Sequence, residues 1–153
     1  MVPQRIVNKV FQLYWRQSRA LTMGAQAVIL RNNSHVLLVR HTYRPGWHFP
    51  GGGVEKNETP ATAVIREMQE EAGVIPQYSP ELFGLYANFE AFPSDHIALY
   101  VVRDWTQPKV PKPNAEIAEQ GFFAIDELPD GATPAVARRL DEIIRNRAPS
   151  DQW

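Results

Sequence analysis

The order of apolar segments along this 153-residue chain predicts an α/β fold, a mixed β-sheet with helices laid over its faces. Three observations point there. Short runs rich in Val, Ile and Leu, bounded by turn-forming residues, recur through the chain. A helical stretch with its own start and stop signals interrupts them, and a second one follows the last run. No internal repeat, low-complexity tract or linker separates a second domain. One domain over residues 24–153 is therefore expected, with residues 1–23 adding an N-terminal helix packed on it.

From Pro3 to Arg16, Ile6, Val10 and Leu13 form one stripe and Val7, Phe11 and Tyr14 the next, the spacing of an amphipathic helix with a wide apolar face. Arg5, Lys9, Arg16 and Arg19 break up the apolar residues there, which argues for a packing helix over a signal peptide or membrane span. Ala25–Leu30 and Val36–Arg40 read as a hairpin, joined through Asn32, Asn33 and Ser34, residue types that tolerate turn geometry. His41–Gly53 carries Pro45, Gly46, Pro50 and consecutive glycines, so it reads as loop with one brief strand at Trp47, His48 and Phe49. Thr59 is a plausible N-cap with Pro60 at the first helical position, and Gly73 is the stop. Strands follow at Leu82–Phe89, Ile97–Val102 and Phe122–Ile125, with loops at Pro93 and Pro108–Pro113. Thr133 and Pro134 open the last helix, which has Val136, Leu140, Ile143 and Ile144 on its apolar face.

Composition narrows the chemistry. A hydrophobic fraction of 44% with 22% charged residues suits a globular core, and the length suffices to bury one without staples. The chain has no cysteine, which removes disulfide scaffolds, thiolate zinc sites and cysteine nucleophiles together. With 16 basic and 17 acidic residues there is no global positive field to hold nucleic acid in bulk, so an anionic ligand must be met locally. A cytoplasmic protein without membrane contact is expected.

The informative segment is Gly52–Val74, GGVEKNETPATAVIREMQEEAGV. On its helix Glu67, Glu70 and Glu71 span an arc of about 100°, while Ala61, Ile65, Met68 and Ala72 fall on another arc that can face a core. Like charges at these spacings cost roughly 0.2–0.5 kcal/mol per pair and lie toward the negative end of the helix dipole. Local stability does not select them. A hard divalent cation relieves the repulsion, and Gly51, Gly52 and Gly53 just upstream let backbone approach a metal or phosphate. The other reading of such a cluster is a solvated acidic face, and of the glycines a flexible turn.

The segment resembles the Nudix box, G-x5-E-x7-R-E-U-x-E-E-x-G-U with U a bulky apolar residue. Gly52, Glu58, Arg66, Glu67, Met68, Glu70, Glu71, Gly73 and Val74 occupy every specified position. Its fixed identities would coincide by chance about once in 10⁹ starting points. Upstream, GWHFPGG is similar to the W-x-L-P-G-G run that often precedes the box, with Phe49 in place of leucine. Downstream, EQGFFAIDELP and a closing helix extend the likeness over most of the chain from Gly24.

The resemblance implies an α/β/α sandwich with a mixed sheet and metal-dependent hydrolysis of a diphosphate linkage in a nucleotide or nucleoside diphosphate derivative. It implies one to three Mg²⁺ or Mn²⁺ ions on Glu67, Glu70 and Glu71, with the Gly51 carbonyl a further ligand, and a Glu58–Arg66 pair steering the helix against the glycine loop. Water attacks phosphorus, so no side-chain nucleophile is required. The general base is a box glutamate or a loop carboxylate, with Glu116 the loop candidate ahead of Glu119, Glu90 and Asp95. Arg40 and Arg44 are candidates for substrate phosphates along with Gly52 and Gly53. Trp47 and His48 stay outside the catalytic set.

Two further readings stand beside this one: a catalytically silent module of the same fold that binds nucleotide or protein, and an RNA 5′ pyrophosphohydrolase. Isopentenyl diphosphate isomerase chemistry relies on a cysteine that this chain lacks. A small-molecule nucleotide partner is expected and a homodimer is possible.

Overall fold

The computed structural model describes residues 9, 12 and 14–153. The apolar face predicted from Ile6, Val7, Val10, Phe11 and Leu13 lies outside them; residues 14–18 are helical, and Tyr14 is exposed. The strands are β1 (Thr22–Arg31), β2 (His35–His41), β3 (Gly51–Gly53), β4 (Ile75–Pro76), β5 (Glu81–Ala87), β6 (Asp95–Val102), β7 (Trp105–Thr106) and β8 (Ile117–Ala124). The helices are α1 (Pro60–Ala72) and α2 (Pro134–Ile144). The main sheet runs β5-β6-β1-β2-β8, with β3 pairing β1. It is mixed, because β1 and β6 are parallel while the other pairs are antiparallel.

Strand alternation splits the core in two. Ala25, Ala27 and Ile29 of β1 and Leu37 of β2 face α1, where Val64, Met68 and Ala72 meet them. Val28, Leu30, Val36 and Leu38 face the other way and pack with Val136, Leu140 and Ile143 of α2. Truncating a fully buried side chain such as Met68 to Ala costs about 2–5 kcal/mol.

α1 has the ends its sequence predicts. The Thr62 amide donates to Thr59 Oγ1 (3.1 Å), and Pro60 occupies the first turn. Gly73 adopts a left-handed φ of 68°, so that its own amide and that of Val74 close on the carbonyls of Gln69 and Met68. A side chain at 73 would also run into the Lys109 carbonyl.

The short paired strands β4 and β7 were not expected from the sequence, β1 begins at Thr22 ahead of the expected Ala25, and three further elements differ in ways that have a physical reason. The brief strand is at Gly51–Gly53, while Trp47 and His48 make isolated bridges. The reason is close approach: a Cβ at Gly51 would collide with the Ala25 carbonyl of the strand it pairs with. β8 begins at Ile117, five residues before the predicted Phe122, because the polar Glu119 and Gln120 pair with Arg40 and Val39 of β2 and conceal the strand. β5 ends at Ala87, where Asn88 and Asp95 close a turn instead of extending the strand to Phe89.

The splay between β1 and β2 positions the site. β2 pairs with Leu30 and Arg31 at one end of β1, and β3 with Gly24–Gln26 at the other. The 42–50 loop wedges between them: the Ala27 amide donates to Pro50 O (2.9 Å), and Val39 and His48 exchange two backbone bonds of 2.9 Å.

Past α2 the chain returns to the end of β5. The Ala87 amide donates to Asp151 O (2.8 Å) and the Trp153 amide to Ala87 O (3.0 Å). A buried cluster pins this segment. Arg139, only 2% exposed, donates to Glu142 Oε1 (2.9 Å), Ser150 Oγ (3.1 Å) and Gln152 O (2.8 Å), and its guanidinium stands 4.3 Å from the Tyr86 ring centre. The Tyr86 hydroxyl donates to the other Glu142 oxygen (2.9 Å). The Trp153 ring packs edge-on against Tyr86 and Phe49.

Candidate active site

α1 turns two of its glutamates toward β3. Glu71 is 3% exposed and Glu67 9%, whereas the Glu70 side chain is 63% exposed at the outer edge of the same helix. The Gly51 amide donates to Glu71 Oε2 (2.8 Å). A Cβ on Gly52 would occupy the space of the Glu67 carboxylate, so the absence of a side chain there is what lets the carboxylate seat. Arg66 organises the entrance. Its Nε and Nη2 grip both Glu58 oxygens (3.0 Å each), Nη2 reaches Gly53 O (3.1 Å), and Nη1 donates to Glu67 Oε1 (2.6 Å). One planar fork thus ties the segment before the helix, the glycine strand and a site carboxylate together.

Burial dominates the electrostatics. It pushes the Glu71 carboxyl up to about 8, with the Gly51 amide pulling down and Glu67 and Glu116 adding to the rise. Glu67 is raised by the same cause, against the pull of Arg66. Glu58 goes the other way, held below its ordinary value by its hydrogen bonds to Arg66. Arg66 is in turn held charged by Glu58 and Glu67. Buried carboxylates in this state call for a proton or a cation, and an oxygen-rich donor set beside backbone suits a hard divalent ion.

His41 is the residue the sequence reading missed. It is buried, its Nδ1 lies 3.7 Å from Glu71 Oε1, and that nitrogen has no hydrogen-bond partner among the described residues. His41, Glu71 and Glu116 each offer an atom within 4.8 Å of the others. Arg44 Nη2 lies 2.8 Å from His41 Nε2. A guanidinium only donates, so Nε2 accepts and the proton of the neutral ring sits on Nδ1. Burial, then Arg44 and His48, lower the His41 pKa to about 4, which keeps the ring neutral. His41 therefore presents an N–H toward the carboxylates, which themselves supply the donors for an ion. Its signal in the sequence was parity: in β2, Leu37 and Val39 share its face, so position 41 is inward.

Glu116 is brought to the cluster by Thr42, whose amide donates to Glu116 O (2.9 Å) and whose hydroxyl donates to Ala115 O (2.6 Å). Asn114 Oδ1 accepts from the amides of Glu116 and Ile117 and rounds the same turn. Arg44 joins the site through His41. Arg40 does not: it lies on the opposite face of β2, paired with Glu119 (2.6 Å) and over the Trp47 ring. Both oxygens of Asp95 are engaged, by Thr22 Oγ1 and Asn88 Nδ2 (2.7 Å each), and Glu90 sits on the exposed turn that follows β5. Gly53 contributes its carbonyl to Arg66.

On the α2 side of the sheet a cleft of about 810 Å³ is bounded by Gln26, Arg44, His48, Phe49, Phe89 and Gln152, among others. Among the described residues no helix is long and apolar enough to cross a membrane.

Comparison with known proteins agrees with this architecture. The model of the NUDIX domain family matches residues 21–146. The 8-oxo-dGTP diphosphatase of Escherichia coli (strain K12) is 33% identical over 124 residues, covering 74% of this chain and 92% of that protein. The RNA pyrophosphohydrolase of Stenotrophomonas maltophilia (strain K279a) is 43% identical over 51 residues, which is 33% of this chain and 25% of that protein, so the likeness is local. Among solved structures, a MutT NUDIX hydrolase from Burkholderia pseudomallei superposes with a TM-score of 0.68 at 26% identity, covering 80% of this chain and 97% of that one. An ADP-ribose pyrophosphatase from Streptococcus suis gives 0.64 at 23% identity, covering 86% and 95%, a likeness of fold alone. With its box complete and its mixed sheet carrying a helix on each face, this chain belongs to the Nudix family of hydrolases.

Proposed function

We propose that this protein hydrolyses a diphosphate linkage in a nucleotide or nucleoside diphosphate derivative, with water as the nucleophile and Mg²⁺ or Mn²⁺ as cofactor. The observation that carries the reading is the convergence of buried Glu67 and Glu71 with Glu116 beside a glycine strand, acidic groups whose burial calls for a cation. Glu67 and Glu71 would hold the ion from the helix and Glu70 from its solvent side, and on the family pattern the Gly51 carbonyl would be a further ligand. When bound, a divalent cation neutralises diphosphate oxygens and makes water a stronger nucleophile near neutral pH.

The remaining roles fall to this chain's own groups. Arg66, locked by Glu58, holds Glu67 in place. Glu116 is exposed at the mouth of the cluster and takes the proton of the attacking water. The His41 N–H turns a favourable dipole toward the Glu71 carboxylate 3.7 Å away, and Arg44 meets the phosphate chain from the cleft side. The likeness to an 8-oxo-dGTP diphosphatase, spanning 74% of this chain and 92% of that protein, supports a nucleoside triphosphate as substrate.

The test is a panel of nucleoside triphosphates, oxidised triphosphates, ADP-ribose, nucleotide sugars and 5′-triphosphate RNA, run with Mg²⁺ or Mn²⁺ in ¹⁸O-water. The expected result is metal-dependent cleavage, releasing phosphate or diphosphate from a triphosphate or two phosphomonoesters from a bridged diphosphate, with one ¹⁸O on a single product phosphoryl group. Nucleotide binding without any turnover across the panel would instead establish a silent binding module.

A further inference from the structure

The cleft on the α2 side opens beside Arg44, next to the carboxylate cluster, and its volume of about 810 Å³ lies in the range of small-molecule sites. Besides α2 and the 44–49 loop, three further parts of the chain wall it. The floor is β1 at Gln26, which breaks the pattern of its strand: Val28 and Leu30, on the same face, are buried against α2, while position 26 presents a carboxamide to the cleft. One side is the turn after β5, where Phe89 is 51% exposed and braced edge-on by the His96 ring at 5.3 Å. The other side is the segment carrying Gln152, pinned through Arg139, Ser150 and Glu142. The side-chain carboxamides of Gln26 and Gln152 make no hydrogen bond to another described residue, although the Gln26 backbone is paired in the sheet.

We infer that the Gln26 and Gln152 carboxamides select a purine base stacked on Phe89, and so set the substrate preference of the adjoining hydrolytic site. The inference rests on the diphosphate reading given above. A carboxamide sets a donor beside an acceptor and pairs with a base edge that presents the complement. Two amides on separate walls address two edges of one base, and a bicyclic ring offers the larger stacking face to the exposed phenyl group. A base lacking the matching edge cannot pair with either amide once it covers them, which is the stronger source of discrimination.

The experiment uses the whole chain in two arms. Binding of AMP, GMP, CMP and UMP is measured by calorimetry without divalent ion, and kcat/KM for the four triphosphates is measured with Mn²⁺. At least one purine monophosphate is expected to bind about tenfold or more tightly than either pyrimidine. Gln26→Leu and Gln152→Leu are each expected to weaken that purine about fivefold to tenfold and to compress the purine-to-pyrimidine ratio in both arms. Melting curves verify that the variants fold, and the exposed position of Gln152 keeps the second variant informative if the first is unstable. No purine preference in the wild type, or an unchanged ranking in both variants, overturns the inference. Purine-selective binding that the variants abolish, with no turnover of the triphosphates or of any other compound in the panel given above, supports the inference and refutes the diphosphate reading instead.

Discussion

Replacing Arg139 with Leu should cost far more than a surface arginine would. Three hydrogen bonds disappear, to Glu142 Oε1, Ser150 Oγ and Gln152 O, together with the stack on Tyr86. Glu142, 9% exposed, is left charged with only the Tyr86 hydroxyl (2.9 Å) and the Ser150 amide (3.2 Å). Breaking a buried pair from one side costs about 3–5 kcal/mol, because the stranded charge keeps its desolvation penalty. For a domain of this size that corresponds to a fall in Tm of about 6–20 °C. The double variant Arg139→Leu, Glu142→Met strands no charge and should recover about 2 kcal/mol of the loss. Urea unfolding followed by tryptophan fluorescence measures all three proteins, with m-values checked for a common unfolded state. A single-variant loss below about 1 kcal/mol, or a double variant no more stable than the single one, would refute the claim that this ion pair pins residues 150–153.

Glu71 gives a pH signature. Its folded-state value of about 8 stands above the ordinary 4.5, so the folded chain keeps a proton that the unfolded chain releases. In chelator, stability should be full below about pH 4.5 and decline toward pH 8, by at most about 1.4 kcal/mol per unit. Saturating Mn²⁺ should flatten the decline, and a level Tm profile between pH 5 and 8 in chelator contradicts the buried-carboxyl account. Gly52→Ala should displace the Glu67 carboxylate, costing about 1–3 kcal/mol and lowering kcat about a hundredfold; near-normal kinetics would show that the helix and strand can part without harm. Thr59→Ala removes the bond to the Thr62 amide and should cost about 0.5–2 kcal/mol in the same urea assay, with no change if the α1 start is held by other contacts.

The elements that were legible in the sequence are those with local causes. The cap at Thr59, the stop at Gly73 and the Asn32–Asn33 turn, whose residues take φ of 52° and 50°, are written in residue types that few other conformations favour. The glutamate spacing on α1 was legible for the same reason. What stayed hidden depends on partners distant in sequence. The glycine strand exists because Ala25 lies against it, and β8 extends to Ile117 because β2 supplies the ladder. Glu70 turned outward although it shares the arc of Glu67 and Glu71, since only the side of the arc facing β3 is covered. Arg40 looked like a phosphate ligand until strand parity placed it beside Glu119, and His41 emerged from that same parity.

Strand β1 is a partition one residue thick. Ala25 and Ala27 brace the helix that carries the acidic groups, while Gln26 and Val28 look into the opposite half of the molecule. Because neighbouring positions answer to different halves, a change at position 26 acts on the cleft, and on the base-selection proposal re-tunes the substrate, while the reactive machinery keeps its seat. A library varied at 26 and 152 explores new substrates at little risk, whereas bulk added at 25 or 27, each fully enclosed, unseats α1 and extinguishes turnover for all of them together.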